Sequence, residues 1–239
     1  MLDMHGLAVD SVGRSGGLVL LWKKSVSVTI QSFSNRHIDA SIQADTRSPI
    51  WRFSGIYGDP ETSNRKNTWE LLTRLKAQSI RPWLCMGDFN EILEDSEKEG
   101  GNTRPTWQMR DFRHALDLNG LFDLGFNGDP FTWSNRQEYP NTIRERLDRA
   151  CANDSWIKLF PNAQVTHLSS VYSDHHPIFL QSEVQSDVQQ RNTRRPFRFE
   201  ATWAGNDECD QIVQQAGEVA QEVRWATPFY HDYINAELN

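Results

Sequence analysis

The stretch Arg81-Pro82-Trp83-Leu84-Cys85-Met86-Gly87-Asp88-Phe89-Asn90 constrains this chain more than any other. Trp83 to Met86 reads as a short buried strand that breaks at Gly87 and hands over a carboxylate, Asp88, and a carboxamide, Asn90. Residues two apart on an extended chain point to one side, so Asp88 and Asn90 are expected to face one site together, with Phe89 turned back into the core. A strand that ends by presenting polar groups at the carboxyl edge of a sheet is a common way to build a site. Gly, Asp and Asn also form turns, so the tetrapeptide alone reads equally as a plain turn.

Strand patterns precede it. Gly13 to Gly17 is a turn feeding the apolar run Leu18–Trp22. Val26, Val28 and Ile30 alternate with polar residues, as do Ile38 to Ile42 and Trp51 to Tyr57. Period-two alternation at short spacing predicts a meandering antiparallel region. Residues 1–12 carry no periodicity and are expected to be an unpatterned start. Thr62-Ser63-Asn64 is expected to N-cap a helix carrying Trp69, Leu71, Leu72 and Leu75 to about Gln78. Met109, Phe112, Ala115, Leu116 and Leu118 predict a second helix, ended by Asn119-Gly120.

The five carboxylates between Glu91 and Glu99 are expected to be a solvated loop rather than a metal site. Further on, Phe131–Ser134 and Arg144–Ala150 read as strands, the second with Leu147 inward. Asn153-Asp154 caps a short helix with Trp156, Ile157, Leu159 and Phe160. Val165–Leu168 and Ile178–Leu180 read as strands flanking Ser173-Asp174-His175-His176-Pro177. The expected domain runs over 13–183. A polar, Gln- and Arg-rich linker follows over 184–195, then a segment over 196–239 with a helix from about Asp207 to Trp225.

A chain of 239 residues can bury one good core, and its 9 Trp and 12 Phe favour a sheet-rich domain over a helical bundle. The net charge of −7 counts mildly against strong non-specific nucleic-acid binding, and it does not exclude an enzyme whose acidic groups hold a divalent cation that meets a phosphate. Cys85, Cys151 and Cys209 are odd in number and widely spaced, with no CxxC, which argues against a disulfide framework, a zinc site or a disulfide-linked partner and for a reducing, intracellular setting. The start has no secretion-signal pattern and Leu18–Trp22 is far too short to span a bilayer, so a soluble protein without a membrane partner is expected.

Three polar clusters stand at expected strand ends: Asp88/Asn90, Asp148 and Asp174/His175. Separately, Asp148 could be a surface ion pair with Arg146 or Arg149, and Ser173–Pro177 a turn before a proline. His175 and His176 point to opposite sides of an extended chain, so they are not expected to share a metal.

Together with Tyr57-Gly58-Asp59-Pro60, and in this order, the clusters resemble the endonuclease/exonuclease/phosphatase (deoxyribonuclease I-like) superfamily. Within it the chain is most similar to the endonuclease domain of plant non-LTR (LINE-type) retrotransposon polyproteins. The likeness is carried by Gly13–Leu18, Pro82–Leu93, Pro130–Asn135, Arg144–Ala150 and Ser173–His175, across roughly residues 13 to 182. Pro196–Glu200 and Trp203 resemble the connector that leads toward a reverse transcriptase in those polyproteins.

The resemblance implies an α+β fold, a four-layer α/β/β/α sandwich of two mainly antiparallel sheets. It implies metal-assisted hydrolysis of a phosphodiester, nicking DNA as partner, with the nucleus as the setting. His175 would be the active-site base or transition-state partner, with Asp148 holding its tautomer. Asp88 would position and deprotonate the attacking water, Asn90 would hydrogen-bond the scissile phosphate, and Tyr57 would contact it through its hydroxyl. Asp174 would help hold Mg²⁺, the ion that hard carboxylate ligands suit.

The likeness begins near Gly13, after the family's opening strand with its Asn and the next strand with its principal metal-ligand Glu. Asp3 and Asp10 sit in no matching context. The expectation is therefore a fold lacking its first strands, the product of a gene fragment, with little or no nuclease activity. Two alternatives remain: a phosphomonoesterase for small molecules or lipids on the same fold, and a non-catalytic nucleic-acid-binding remnant.

Overall fold

The computed structural model describes residues 4–12, 15–170 and 172–182. The linker and C-terminal segment expected over 184–239 lie outside the described residues.

The fold is mixed α+β. Strands β1 (Met4–Val12) and β2 (Ser15–Lys23) form an antiparallel hairpin. The expectation of an unpatterned start over 1–12 is corrected: Met4–Val12 is extended, with Leu7 paired to Leu20 and Val9 to Leu18. Next come β3 (Ser27–Ser34), β4 (His37–Gln43), β5 (Trp51–Tyr57), helix α1 (Arg65–Ala77) and β6 (Trp83–Asp88). They are followed by β7 (Lys98–Glu99), α2 (Thr106–Asn119), β8 (Leu121–Asp123), β9 (Trp133–Ser134) and β10 (Arg144–Glu145). The described chain ends with β11 (Asp148–Asn153), α3 (Asp154–Leu159), β12 (Gln164–His167) and β13 (Ile178–Gln181).

The main sheet has six strands in the order β3-β4-β5-β6-β11-β8. All neighbours are antiparallel except β5 and β6, which are parallel because α1 carries the chain back between them. Alternation along β5 and β6 sends Ile56, Trp83 and Cys85 to one face. There they join Leu71, Leu72 and Leu75 of α1, Phe112 and Leu116 of α2, and Phe89, as expected for that ring. The opposite face carries Leu84, Ala150 and Ala152, packed with Trp156 from α3, Phe160 just after it and Val165 from β12. The hairpin β12-β13 packs on this face through Val165, Ile178 and Leu180, and among the described residues it is a sheet separate from the hairpin β1-β2. Among these residues no helix is long and apolar enough to cross a membrane.

Several local expectations change in the structure. Asn64 makes no side-chain capping bond, and a 3₁₀ turn over Thr62–Asn64 opens α1 instead. Asn153 does cap α3, accepting from the Trp156 N–H. Leu118, one of the apolar residues on helical spacing, is exposed on the outer side of α2. The strand expected over Arg144–Ala150 divides at Arg146-Leu147: β10 joins the small sheet β7-β10-β9, and β11 joins the main sheet.

The acidic loop is not uniformly solvated. Glu91 is 1 % exposed and pairs with Arg65 and Arg104. Glu97 is held by Arg146 and Arg149, which also bind Asp123. Those arginines are therefore interior cations rather than surface partners of Asp148. Cys85 and Cys151 face each other across β6 and β11 as buried free thiols.

Candidate functional site

Strand register assembles the site. In the parallel pair Tyr57 stands beside Asp88, and in the antiparallel pair Asp88 stands beside Asp148. Each falls on the parity of Leu84, Ala150 and Ala152, so all three belong to the face opposite α1 and α2. The carboxyl ends of β5 and β6 and the amino end of β11 thus form one polar edge.

His175 arrives from the connection between β12 and β13, fastened by the residues around Thr132. Trp133 and His175 form an isolated antiparallel bridge. The Ser134 N–H donates to the Asp174 carbonyl at 3.0 Å, and the His176 N–H to the Thr132 carbonyl at 2.7 Å. The buried Thr132 hydroxyl accepts the N–H groups of Leu147 and Asp148 at 3.0 and 2.9 Å. One short segment therefore holds both the aspartate and the histidine in place. Thr132 and Trp133 fall in the strand expected over Phe131–Ser134, whose pattern gives them no role; their bonds and bridge reach residues distant in sequence.

The three clusters converge. His175 Nδ1 lies 2.8 Å from Asp148 Oδ2, and its Nε2 lies 4.0 Å from Asp88 Oδ2. Asn90 also reaches Asp88, by a different route from strand alternation: β6 ends at Asp88, and Asn90 adopts left-handed backbone with φ of 55°. Its backbone N–H donates to Asp88 Oδ1 at 2.7 Å. Its Nδ2 donates to Asp88 Oδ2 at 2.9 Å and to the Gly58 carbonyl at 3.0 Å. Both amide hydrogens are thus engaged within the protein, and Asn90 could donate to a phosphate only by releasing one of these oxygens. Asp174 is displaced toward solvent, its Oδ2 accepting the Trp133 indole N–H at 3.0 Å.

The electrostatics follow from crowding. Burial and the neighbouring charge of Asp148 push the Asp88 carboxyl up to about 7, against the opposing effect of His175. Burial alone would lower His175, but its hydrogen bond to Asp148 and the charges of Asp148, Asp88 and Asp174 outweigh that and raise it. Removing the Asp148 charge should therefore lower both groups. In an Asp148→Asn variant, His175 is expected to titrate lower than in the wild type, because the hydrogen bond and charge that raise it are gone. Asp88 is expected to fall below about 7. Titration of the imidazole and carboxyl resonances by NMR measures both; an unmoved His175 would contradict the pairing.

The described residues do not form a preorganised metal centre. No group of three His, Cys, Asp or Glu side chains with metal-holding geometry occurs among them. Asp174 offers one carboxylate oxygen beyond the one bound to Trp133. This donor set does not fit a Mg²⁺ cage, and the chemistry below is derived for the protein's own residues.

The layered α+β architecture is a fold shared by phosphoester hydrolases, and the comparisons agree on the fold. The chain belongs to the Endonuclease/Exonuclease/phosphatase family, whose model matches residues 4–175. Since that match starts at residue 4, β1 is included, whereas the likeness had been traced from Gly13. No curated protein sequence matches the chain.

Solved structures share the fold. The endonuclease domain of TRAS1, a telomere-specific non-LTR retrotransposon, is 16% identical with a TM-score of 0.61, covering 77% of this chain and 82% of that one. The AP endonuclease LMAP from Leishmania major is 14% identical with a TM-score of 0.58, covering 76% and 71%. The 3′ phosphatase NExo from Neisseria, bound to a product DNA hairpin, is 15% identical with a TM-score of 0.54, covering 76% and 80%.

Proposed function

We propose that this chain carries the histidine side of a DNA-nicking phosphodiester hydrolase of the LINE-type retroelement class, and that these 239 residues by themselves cleave poorly. The observation that supports the reading most is the triad-like line Asp148–His175–Asp88, with separations of 2.8 and 4.0 Å. A DNA-bound structure among its fold relatives agrees with a nucleic-acid substrate.

In this reading Asp148 fixes the His175 tautomer by accepting from Nδ1 and favours the imidazolium, so Nε2 is turned toward the reacting phosphate. Asp88 takes the proton of the attacking water. Its carboxyl, raised to about 7, is matched to that task near neutral pH, and its base form grows as pH rises through that value. Tyr57 offers its hydroxyl to a phosphate oxygen, and Asn90 exchanges its bond to Asp88 for one to the substrate.

Mg²⁺ is the ion the resemblance implies, supplying charge stabilisation at the phosphate when bound. The resemblance, traced from Gly13 onward, includes no counterpart of the Glu it requires as principal ligand, and loss of a primary ligand removes on the order of several kcal/mol of transition-state stabilisation. The test is incubation of the purified chain with Mg²⁺ and supercoiled plasmid. Faint nicking, lost in His175→Ala, is the expected outcome. Robust nicking would overturn the proposed weakness, and nicking unaffected by His175→Ala would overturn the site.

A further inference from the structure

We propose that the outer face of α1 and α2 is a self-association surface, on which a second copy of this chain docks about a two-fold axis. The proposal goes beyond the hydrolase reading and does not depend on it.

The face is built by two helices that run the same way. Trp69 stacks on Phe112 with ring centroids 4.6 Å apart, Asn119 Nδ2 donates to Thr73 Oγ1 at 3.3 Å, and Lys76 Nζ donates to the Leu118 carbonyl at 3.1 Å. Later residues of α1 therefore meet later residues of α2. Between the helices lies a groove of about 530 Å³, whose lining includes Trp69, Glu70, Arg74, Asp111, His114 and Leu118. Along α2, Trp107, Asp111, His114 and Leu118 recur at helical spacing and form one stripe. Its two large apolar members are 50% and 57% exposed, surface that a partner would take out of water.

The order of groups along the groove says which partner fits. Trp69 and Glu70 come one turn before Arg74, and Leu118 stands level with the end of α1. Glu70 and Arg74 form no ion pair among the described residues, whereas Asp111 is held by Arg110 at 3.0 Å. The groove thus has an aromatic, acidic end and an aliphatic, basic end. A two-fold axis crossing it between Glu70 and Arg74 reverses that order in the second copy. Glu70 of each copy then faces Arg74 of the other, and Leu118 of each lies over Trp69 of the other. The face is its own electrostatic and apolar complement.

The size of the face sets the strength. Helices of 13 and 14 residues are about 20 Å long and pack about 9 Å apart, giving on the order of 500 Å² per copy. That is the low end for specific interfaces, so the dimer is a weak one, with a Kd on the order of 10–100 µM. Asp88 and Asp148 belong to the sheet face opposite α1 and α2, so docking leaves both polar strand-tip edges open.

The experiment is sedimentation equilibrium of the full chain from well below to well above that Kd, with circular dichroism to establish that each variant is folded. The wild type is expected to pass from monomer to dimer. Leu118→Ser, a change at an exposed side chain, is expected to weaken the dimer about a hundredfold, because the axis removes the contact twice. Glu70→Arg and Arg74→Glu each put two like-charge contacts into the dimer, and each alone is expected to associate at least about tenfold more weakly. An equimolar mixture of those two variants is expected to recover wild-type association, since every contact across the axis again joins opposite charges. A monomer at every concentration would overturn the proposal. So would a dimer indifferent to Leu118→Ser, or two charge variants whose mixture associates no better than either alone.

Discussion

Replacing Arg149 by alanine is expected to cost about 3–5 kcal/mol of folding stability, the scale for breaking a buried ion pair from one side. Its side chain is completely buried, with one amino group 2.7 Å from Asp123 Oδ2 and the other 2.8 Å from Glu97 Oε2. The guanidinium also donates to the Arg146 carbonyl at 3.0 Å and lies 5.3 Å from the Phe112 ring centroid. Alanine would leave two carboxylates facing a void with Arg146 alone to share between them. Arg149→Met keeps the volume and should lose nearly as much, because unpaired charge rather than the cavity dominates.

The same network sets an acid limb. Burial would raise Asp123 and Glu97, but the arginines outweigh it, holding Asp123 down at about 2 and Glu97 below its ordinary range. A carboxyl depressed in the folded state contributes stability that is present above its unfolded value near 4 and lost as pH falls through the folded value. Asp123 alone accounts for about 2 kcal/mol lost between about pH 4 and pH 2. Urea unfolding at pH 7, 4 and 2.5 measures both effects. A penalty under 1 kcal/mol at pH 7 in Arg149→Ala would show the network to be ornamental.

That network marks where sequence reading stops. Trp51–Tyr57 was legible to the residue because its alternation and the following Gly58-Asp59-Pro60 coincide with the strand's real ends. Asp88, Asp148 and His175 could be named because each stands at a strand end or turn among polar neighbours. Arg149 could not be read, since an arginine inside a strand is ordinarily a surface residue, and its burial depends on Glu97 and Asp123 from distant segments. Met4–Val12 was hidden because Gly6, Ala8 and Asp10 dilute its alternation; only its pairing with β2 makes it a strand. Strand periodicity predicts that Asn90 faces Asp88's side, yet it is a left-handed turn, not alternation, that brings the two together. Leu118 fits helical spacing yet faces outward, because spacing alone does not say how wide the buried stripe is.

Gly87→Ala is expected to destabilise the protein by roughly 3–5 kcal/mol and to disorganise the site at the same time. Gly87 has φ of +142°, and a Cβ there would meet the Ile56 carbonyl oxygen at 2.1 Å. The neighbour is backbone in a paired strand, not the end of a flexible side chain, so β5 and β6 would have to separate. That parallel pairing is what places Tyr57 beside Asp88, and the Gly58 N–H that donates to the Asp88 carbonyl at 2.6 Å sits at the same tip. Separation would admit water to Asp88 and draw its carboxyl down from about 7 toward the ordinary carboxylate range. The close approach of the two strands thus keeps Asp88 buried, which is the first cause of its raised carboxyl. Urea denaturation gives the first quantity and carboxyl NMR titration the second. A Gly87→Ala protein of wild-type stability, with Asp88 still titrating near 7, would mean that the strand tips tolerate separation and that the raised carboxyl has another cause.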